Sequence, residues 1–170
     1  MEKIKVGILD DYQNVTHKFA DWRSLSEKID LNIINKYIGN ENNLSEQLKD
    51  YDVLCLMRER TPLPKELISK LPNLKLVVTS GMWNASIDTE ALKKRNIIYC
   101  GTDTKIHSTA ELAWVLIMNS WRGLQTEIEN MKNGKWQTTV GRGLKGNTLG
   151  IFGLGKQGLQ VANFGKVFGM

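Results

Sequence analysis

The sequence predicts an α/β fold: a flavodoxin-like, doubly wound parallel sheet followed by one further βα unit with a glycine-rich turn. Three observations carry that expectation. Short aliphatic runs alternate with amphipathic stretches through the first hundred residues, which is the pattern of parallel strands joined by helical crossovers. Each run is bounded by turn or cap residues. Near the end, a G-x-G-x-x-G spacing follows one more aliphatic run.

In chain order, the strands are expected at Ile4 to Leu9, Leu31 to Ile38, Asp52 to Met57, Leu74 to Thr79 and Ile97 to Cys100, each short and rich in aliphatic or β-branched side chains. Helices are expected from Lys18 to Lys28, Leu44 to Lys49, Pro64 to Leu71 and Asp88 to Arg95. Pro64 suits a first helical turn, Pro72 stops that helix, and Asp88 is a good N-cap. This closes a first domain at residues 1–101. Residues 102–170 begin a second. There, Ser108 and Glu111 stand in the S-x-x-E relation of a capping box, opening a helix to Arg122 whose apolar face is Leu112, Val115, Leu116 and Met118. A shorter helix is expected from Thr126 to Asn133. A glycine-rich connection then leads to a strand at Thr148 to Phe152 and a final helix.

Composition removes several function classes. The chain of 170 residues is 41% hydrophobic and 24% charged, with 3 prolines and 15 glycines, a globular rather than a disordered balance. Its longest apolar run, Leu112 to Met118, is far below the roughly 18 residues that cross a bilayer, so no membrane association is expected. The N-terminus turns acidic at Asp10 and Asp11 without a signal-peptide core, and a cytoplasmic location follows. Cys55 and Cys100 lack disulfide or zinc-ligand spacing and read as two buried free thiols; no metal site is expected. The net charge of +5 lies wholly after residue 120, where the bases are scattered, so nucleic acid is not an expected partner.

Residues 148 to 158 read TLGIFGLGKQG. In that spacing Gly153 permits a tight turn, Gly155 lets the backbone approach a pyrophosphate, and Gly158 allows close packing of helix on strand. The helix N-terminus offers free N–H groups to the phosphates. A glycine-rich βα turn without a nucleotide is the alternative.

The blocks MRERTPLP at 57–64, VVTSGMWNASIDTEALKKRNI at 77–97, STAELAWVLIM at 108–118, GKWQTTVG at 134–141 and KGNTLGIFGLGKQG at 145–158 resemble the D-isomer-specific 2-hydroxyacid dehydrogenases, the phosphoglycerate dehydrogenase-like family. The resemblance covers residues 50–170 well and the first fifty only through their pattern. It implies a substrate domain followed by a Rossmann NAD-binding domain, and an oxidoreductase moving a hydride between NAD(H) and a 2-hydroxy or 2-keto acid. NADP is left open. The resemblance gives Ser80, Gly81 and Met82 a role in presenting backbone N–H groups to the substrate carboxylate, with an ordinary βα turn as the alternative. Arg58 and Arg60 would pair with a carboxylate, or else stand as solvated surface arginines. Thr109, Gly153, Gly155, Lys156, Gln157 and Gly158 would hold the cofactor. Relatives carry arginine where this chain has Trp83, which bears on the substrate's size and charge. They dimerise through the segment that holds Trp136 here, so a homodimer is the expected assembly.

The family's carboxylate-holding arginine and its acid/base histidine with a glutamate lie later in the nucleotide domain, beyond Met170. No catalytic residue is therefore expected in this chain, which reads as a fragment. His107, in a loop before a helix, has the pKa class for proton transfer but not the family's position; His17 is weaker still. Asp10 and Asp11 resemble the acidic pair of a receiver domain, yet the third strand ends Cys55, Leu56, Met57 without the phosphoacceptor. A non-catalytic flavodoxin-like module that binds a small carboxylate or a partner chain is the alternative function.

Overall fold

The computed structural model describes residues 2–39, 41–103 and 107–170. Its contacts divide the chain into two compact units, Met1–Thr104 and Lys105–Met170, against an expected boundary after residue 101.

The first unit is built on five parallel strands: β1 (Ile4–Ile8), β2 (Ile29–Ile33), β3 (Val53–Leu56), β4 (Leu76–Thr79) and β5 (Ile98–Gly101), in the order β2-β1-β3-β4-β5. The chain steps from β1 to one side and then crosses back to β3, the flavodoxin-like order. The strand expected at Leu31 to Ile38 starts and ends earlier, because β1 supplies partners only from Ile4↔Ile29 to Ile8↔Ile33. Ile34 and Ile38, beyond the ladder, pack on the core instead.

Period-two alternation sorts the side chains between two faces. Leu54 and Val77 are paired in register and fully buried. They face α2 (Glu41–Leu48), α3 (Lys65–Ser69) and α4 (Thr89–Lys94), which contribute Leu48, Leu67, Ile68 and Leu92 to one core cluster. On the opposite face, Ile8, Cys55 and Val78 line a cavity of about 340 Å³ with Phe19, Ala20 and Trp22. This face is only partly covered: the segment beside it carries no buried residue from Thr16 to Phe19, and Phe19 is 84% exposed. Asp88 caps α4 as expected, accepting from Ala91 N–H at 2.9 Å. Arg95 closes the end of α3, donating to the carbonyls of Ile68 and Leu71.

The single helix expected from Lys18 to Lys28 is instead α1 (Thr16–Phe19) and a separate 3-10 turn, Trp22–Leu25. Ala20 is extended, with φ −147° and ψ 148°, which breaks the helix, while Trp22 Nε1 donates to Thr16 O across the break. Cys55 is half-buried and Cys100 exposed, so the expectation of two buried thiols fails at Cys100, which lies on edge strand β5. Both are free thiols.

The second unit holds α5 (His107–Arg122), α6 (Leu124–Lys132) and α7 (Lys156–Val167). In α5, which is described from His107, Ser108 lies within the helix rather than capping it; residues 104–106, before it, are outside the described residues. The expected apolar face of α5 is also not what packs. Leu112, Val115 and Leu116 are exposed, and the buried side chains are Ala110 and Trp114. Trp114 meets Phe164 and Phe168 at ring-centroid distances of 5.9 and 5.1 Å in tilted geometry, and these contacts join α5 to α7. The strand expected at Thr148 to Phe152 is absent as a strand. Its residues have no ladder partner among the described residues, and without one an extended stretch has no β hydrogen bonds.

The Leu54 side chain sits at the centre of the sheet against three helices. Leu54→Ala is expected to lower stability by about 2–5 kcal/mol, measured as a shift of the urea unfolding midpoint; a midpoint within error of the parent would show that this core does not hold the unit together.

Candidate functional site

The carboxyl ends of β1 and β3 are adjacent in the sheet, yet the chain leaves them toward opposite faces, and such a switch point opens a crevice between the two loops. Those loops carry Asp10, Asp11 and Tyr12 on one side and Arg58, Glu59 and Arg60 on the other. The β4 loop, with Ser80, Gly81 and Met82, lies next to them.

Asp10 is 3% exposed, with φ +62°. Its carboxylate accepts from Tyr12 Oη at 2.9 Å and Thr61 Oγ1 at 2.8 Å. Its carbonyl accepts from Arg60 Nη1 at 2.7 Å. The Arg60 guanidinium also lies 5.0 Å over the Tyr12 ring, a cation–π distance. Arg60 is thereby tied to the β1 loop. The hydrogen bond to Asp10, reinforced by burial, holds the Tyr12 hydroxyl above its ordinary pKa. Asp11 has a different task. Burial pushes its carboxyl up, but hydrogen bonds from Val15 N–H, Thr16 N–H and Thr16 Oγ1 outweigh that, and the net pKa is lowered. The receiver-like acidic pair is thus a loop brace and a helix cap.

Arg58 takes the left-handed conformation, φ +54°, rare for a residue with a Cβ. Its N–H donates to Ser80 Oγ at 3.0 Å, and its carbonyl accepts from Asn84 Nδ2 at 2.7 Å. Its guanidinium reaches Ser80 O at 3.4 Å and lies 3.6 Å from the Glu59 carboxylate. Gly81 has φ +98°, a backbone conformation that favours glycine, and a Cβ there would displace the Arg58 guanidinium.

Of the three N–H groups that the resemblance assigns to a substrate carboxylate, two are already engaged. Ser80 N–H completes the ladder to Leu56 O at 2.9 Å, and Gly81 N–H donates to Thr102 Oγ1 at 3.0 Å. Thr102 N–H returns to Gly81 O at 3.1 Å. Met82 N–H has no partner among the described residues. The Met82 and Trp83 side chains are 69% and 66% exposed beside it. The structure therefore brings Arg58, Ser80, Gly81 and Met82 together, with Arg60 held to the neighbouring loop. Asn84 and Thr102, which fasten this arrangement, carry no motif by which the sequence marks them.

Cys55 stands behind this edge, and burial pushes its thiol up, so it is protonated at neutral pH. Among the described residues no cluster of His, Cys, Asp or Glu is arranged to hold a metal ion, and no helix is long and apolar enough to cross a membrane.

In the second unit, Gly153 turns with φ +92° and Gly155 precedes α7. A Cβ on Gly158 would run into Gly153 O, so only glycine lets the helix start this close to the turn. By contrast, a Cβ on Gly155 would meet nothing within 4 Å. The first helical hydrogen bond is Leu159 N–H to Gly155 O at 2.9 Å. The turn is exposed and free of side-chain bulk at Gly155, the two features that a phosphate at a helix N-terminus requires. Lys156 is exposed and Gln157 half-buried at the same end. Thr109 is exposed in the first turn of α5, and His107 Nδ1 lies 3.2 Å from Gln160 Oε1. His17 is on exposed α1, far in sequence from these groups.

A model of the D-isomer specific 2-hydroxyacid dehydrogenase catalytic domain matches residues 11–162. The chain belongs to this family. It is 34% identical over 133 residues to a D-3-phosphoglycerate dehydrogenase of Methanocaldococcus jannaschii, covering 76% of this chain and 25% of the relative. It is 30% identical over 168 residues to a 4-methyl-2-oxopentanoate reductase of Aspergillus oryzae, covering 92% of this chain and 51% of the relative. Among solved structures, a phosphoglycerate oxidoreductase from Vibrio cholerae superposes with a TM-score of 0.90 at 39% identity, over 98% of this chain and 54% of that one. The chain thus spans about half the length, or less, of these dehydrogenases.

Asp11→Ala tests the helix cap. Because its pKa is lowered in the folded state, the stability it contributes is present above about pH 4 and lost as pH falls through the folded value. The variant is expected to be about 1 kcal/mol less stable at pH 7, with the difference shrinking by pH 3. Equal differences at both pH values in urea unfolding would contradict the assigned charge.

Proposed function

We propose that residues 1–101 are the substrate domain and residues 102–170 the beginning of the NAD-binding domain of an oxidoreductase that transfers a hydride between NAD(H) and a 2-hydroxy or 2-keto acid. The observation that carries this reading is the Arg58 guanidinium lying on the Ser80–Gly81 turn, next in sequence to Met82, whose N–H has no partner among the described residues, at the sheet edge where doubly wound folds bind ligands. An N–H and a guanidinium fork are complementary to a carboxylate. In this assignment Met82 N–H and Arg58 take the carboxylate, Ser80 and Gly81 shape the loop, and Arg60 sets the crevice wall.

The second unit supports the cofactor half of the reading. Gly153, Gly155 and Gly158 form the turn, Lys156 and Gln157 border the pyrophosphate, and Thr109 stands for the nicotinamide side. Bound there, NAD(H) supplies the hydride. NADP is not excluded, since the acidic residue that reads the ribose is expected about 20 positions past the motif. The relatives named above act on quite different side chains, so the substrate is assigned only as a small 2-keto or 2-hydroxy acid. The complete enzyme is assigned as a cytoplasmic homodimer.

The carboxylate-clamping arginine and the histidine–glutamate acid/base pair belong to the later part of the nucleotide domain, so residues 1–170 by themselves are assigned binding without turnover. The purified chain is expected to show no NADH-dependent reduction of glyoxylate, pyruvate or hydroxypyruvate; measurable turnover would falsify this assignment.

The cofactor site is tested in a chimera that joins this chain to the C-terminal half of a phosphoglycerate dehydrogenase. There Gly155→Val fills the open side of the turn and is expected to weaken NADH binding more than tenfold, about 1.4 kcal/mol, with the first unit still folded. Parent-like affinity in a fluorescence titration means that the turn is structural only.

A further inference from the structure

Asn84 is 1% exposed, and all of its amide hydrogen-bonding atoms are engaged. Nδ2 donates to Arg58 O at 2.7 Å and to Thr79 Oγ1 at 3.0 Å. Oδ1 accepts from Ser86 N–H at 2.9 Å and Ser86 Oγ at 2.7 Å. One side chain therefore ties the β3 loop, the end of β4 and the segment entering α4. No other amide in the first unit joins these three segments in this way among the described residues.

The connection to Arg58 has a consequence for function. Left-handed backbone at a non-glycine residue is unfavourable and persists only where surrounding contacts hold it. Two contacts hold Arg58: its N–H on Ser80 Oγ and its carbonyl under Asn84. With φ at +54° the side chain crosses to the β4 loop, where the guanidinium reaches Ser80 O at 3.4 Å and occupies the space a Cβ on Gly81 would take. Relaxation of that backbone into an ordinary region would carry the side chain off this turn.

We propose that Asn84 is a positioning residue: by locking Arg58 in the left-handed conformation, it holds the guanidinium on the Ser80–Gly81 turn as a preorganised carboxylate receptor. This rests on the reading of Arg58 and Met82 as the carboxylate site. Preorganisation raises affinity because less freedom is lost on binding. Asn84 itself is buried behind the loop and touches no ligand.

The test uses the 170-residue chain and oxalate as the probe, with affinity read by NMR titration. Asn84→Asp keeps the acceptor for Ser86 and loses both Nδ2 donors; it is expected to weaken oxalate binding at least fivefold, with circular dichroism unchanged. Arg58→Ala gives a loss of similar size. The double variant should bind no more weakly than Arg58→Ala alone, because Asn84 acts only through that arginine. If Asn84→Asp binds like the parent, or if the two losses multiply, the positioning role is overturned while the carboxylate site stands. If the parent chain binds no oxalate, the carboxylate site itself is wrong and the positioning role falls with it. Should Asn84→Asp fail to fold, the parent decides: its Asn84 Nδ2 proton resonances are expected to shift on oxalate titration and to stay still in Arg58→Ala, and still resonances in the parent overturn the proposal.

Discussion

Parallel pairing of β1, β3 and β4 in a single register is the constraint on which the rest of the first unit depends. Ile8 opposite Cys55, and Leu56 opposite Thr79, bring three carboxyl ends to one level. Only then do the loops that follow stand close enough for Arg60 to reach Asp10 O and for Arg58 to reach Ser80. A slip of one residue would exchange the two faces of a strand, exposing Leu54 and burying Cys55. The buried face of Leu54 and Val77 against three helices makes such a slip costly, so core packing and site geometry are set by the same ladder.

Once aligned, the crevice divides its two arginines by their surroundings. Arg60 is fastened by a carbonyl and an aromatic ring to the loop after β1. Arg58 is fastened through its backbone instead, and its guanidinium is left over half exposed on the Gly81 loop. The difference is one of tethering: Arg60 is held by its own charged group, whereas Arg58 is held by its main chain and its guanidinium makes only longer contacts, 3.4 Å to Ser80 O and 3.6 Å to Glu59. The β4 loop shows the same economy of donors, with the Ser80 and Gly81 amides spent within the fold and the Met82 amide without a partner among the described residues.

The second unit is organised by aromatic packing rather than by a sheet. Trp114 against Phe164 and Phe168 seats α7 on α5, and the glycine turn sits at the start of α7 with its outer side open. The stretch before that turn has the composition of a strand and the conformation of an unpaired segment. Strand structure is a property of a pair, and residues 148–152 find no pair among the described residues.

Much of this was legible in the residues themselves. Alternation of aliphatic runs with amphipathic ones, the Asp88 cap and the spacing of Gly153, Gly155 and Gly158 all act locally, over turns and periods that a linear sequence displays. They determined five parallel strands, the crossover helices after the first, the glycine turn and, through five separate blocks, the family. What only the tertiary structure decided is which groups are used up by the fold: that Asp10 braces Arg60, that Gly81 N–H is taken by Thr102, that Trp114 rather than Leu112 or Leu116 faces the second core, and that Asn84 holds Arg58. Each of these depends on partners up to 54 residues away in the chain, as Trp114 and Phe168 are, and a hydrogen bond or ring contact over that separation leaves no periodicity in sequence because its partners are chosen by the packing of elements distant in the chain.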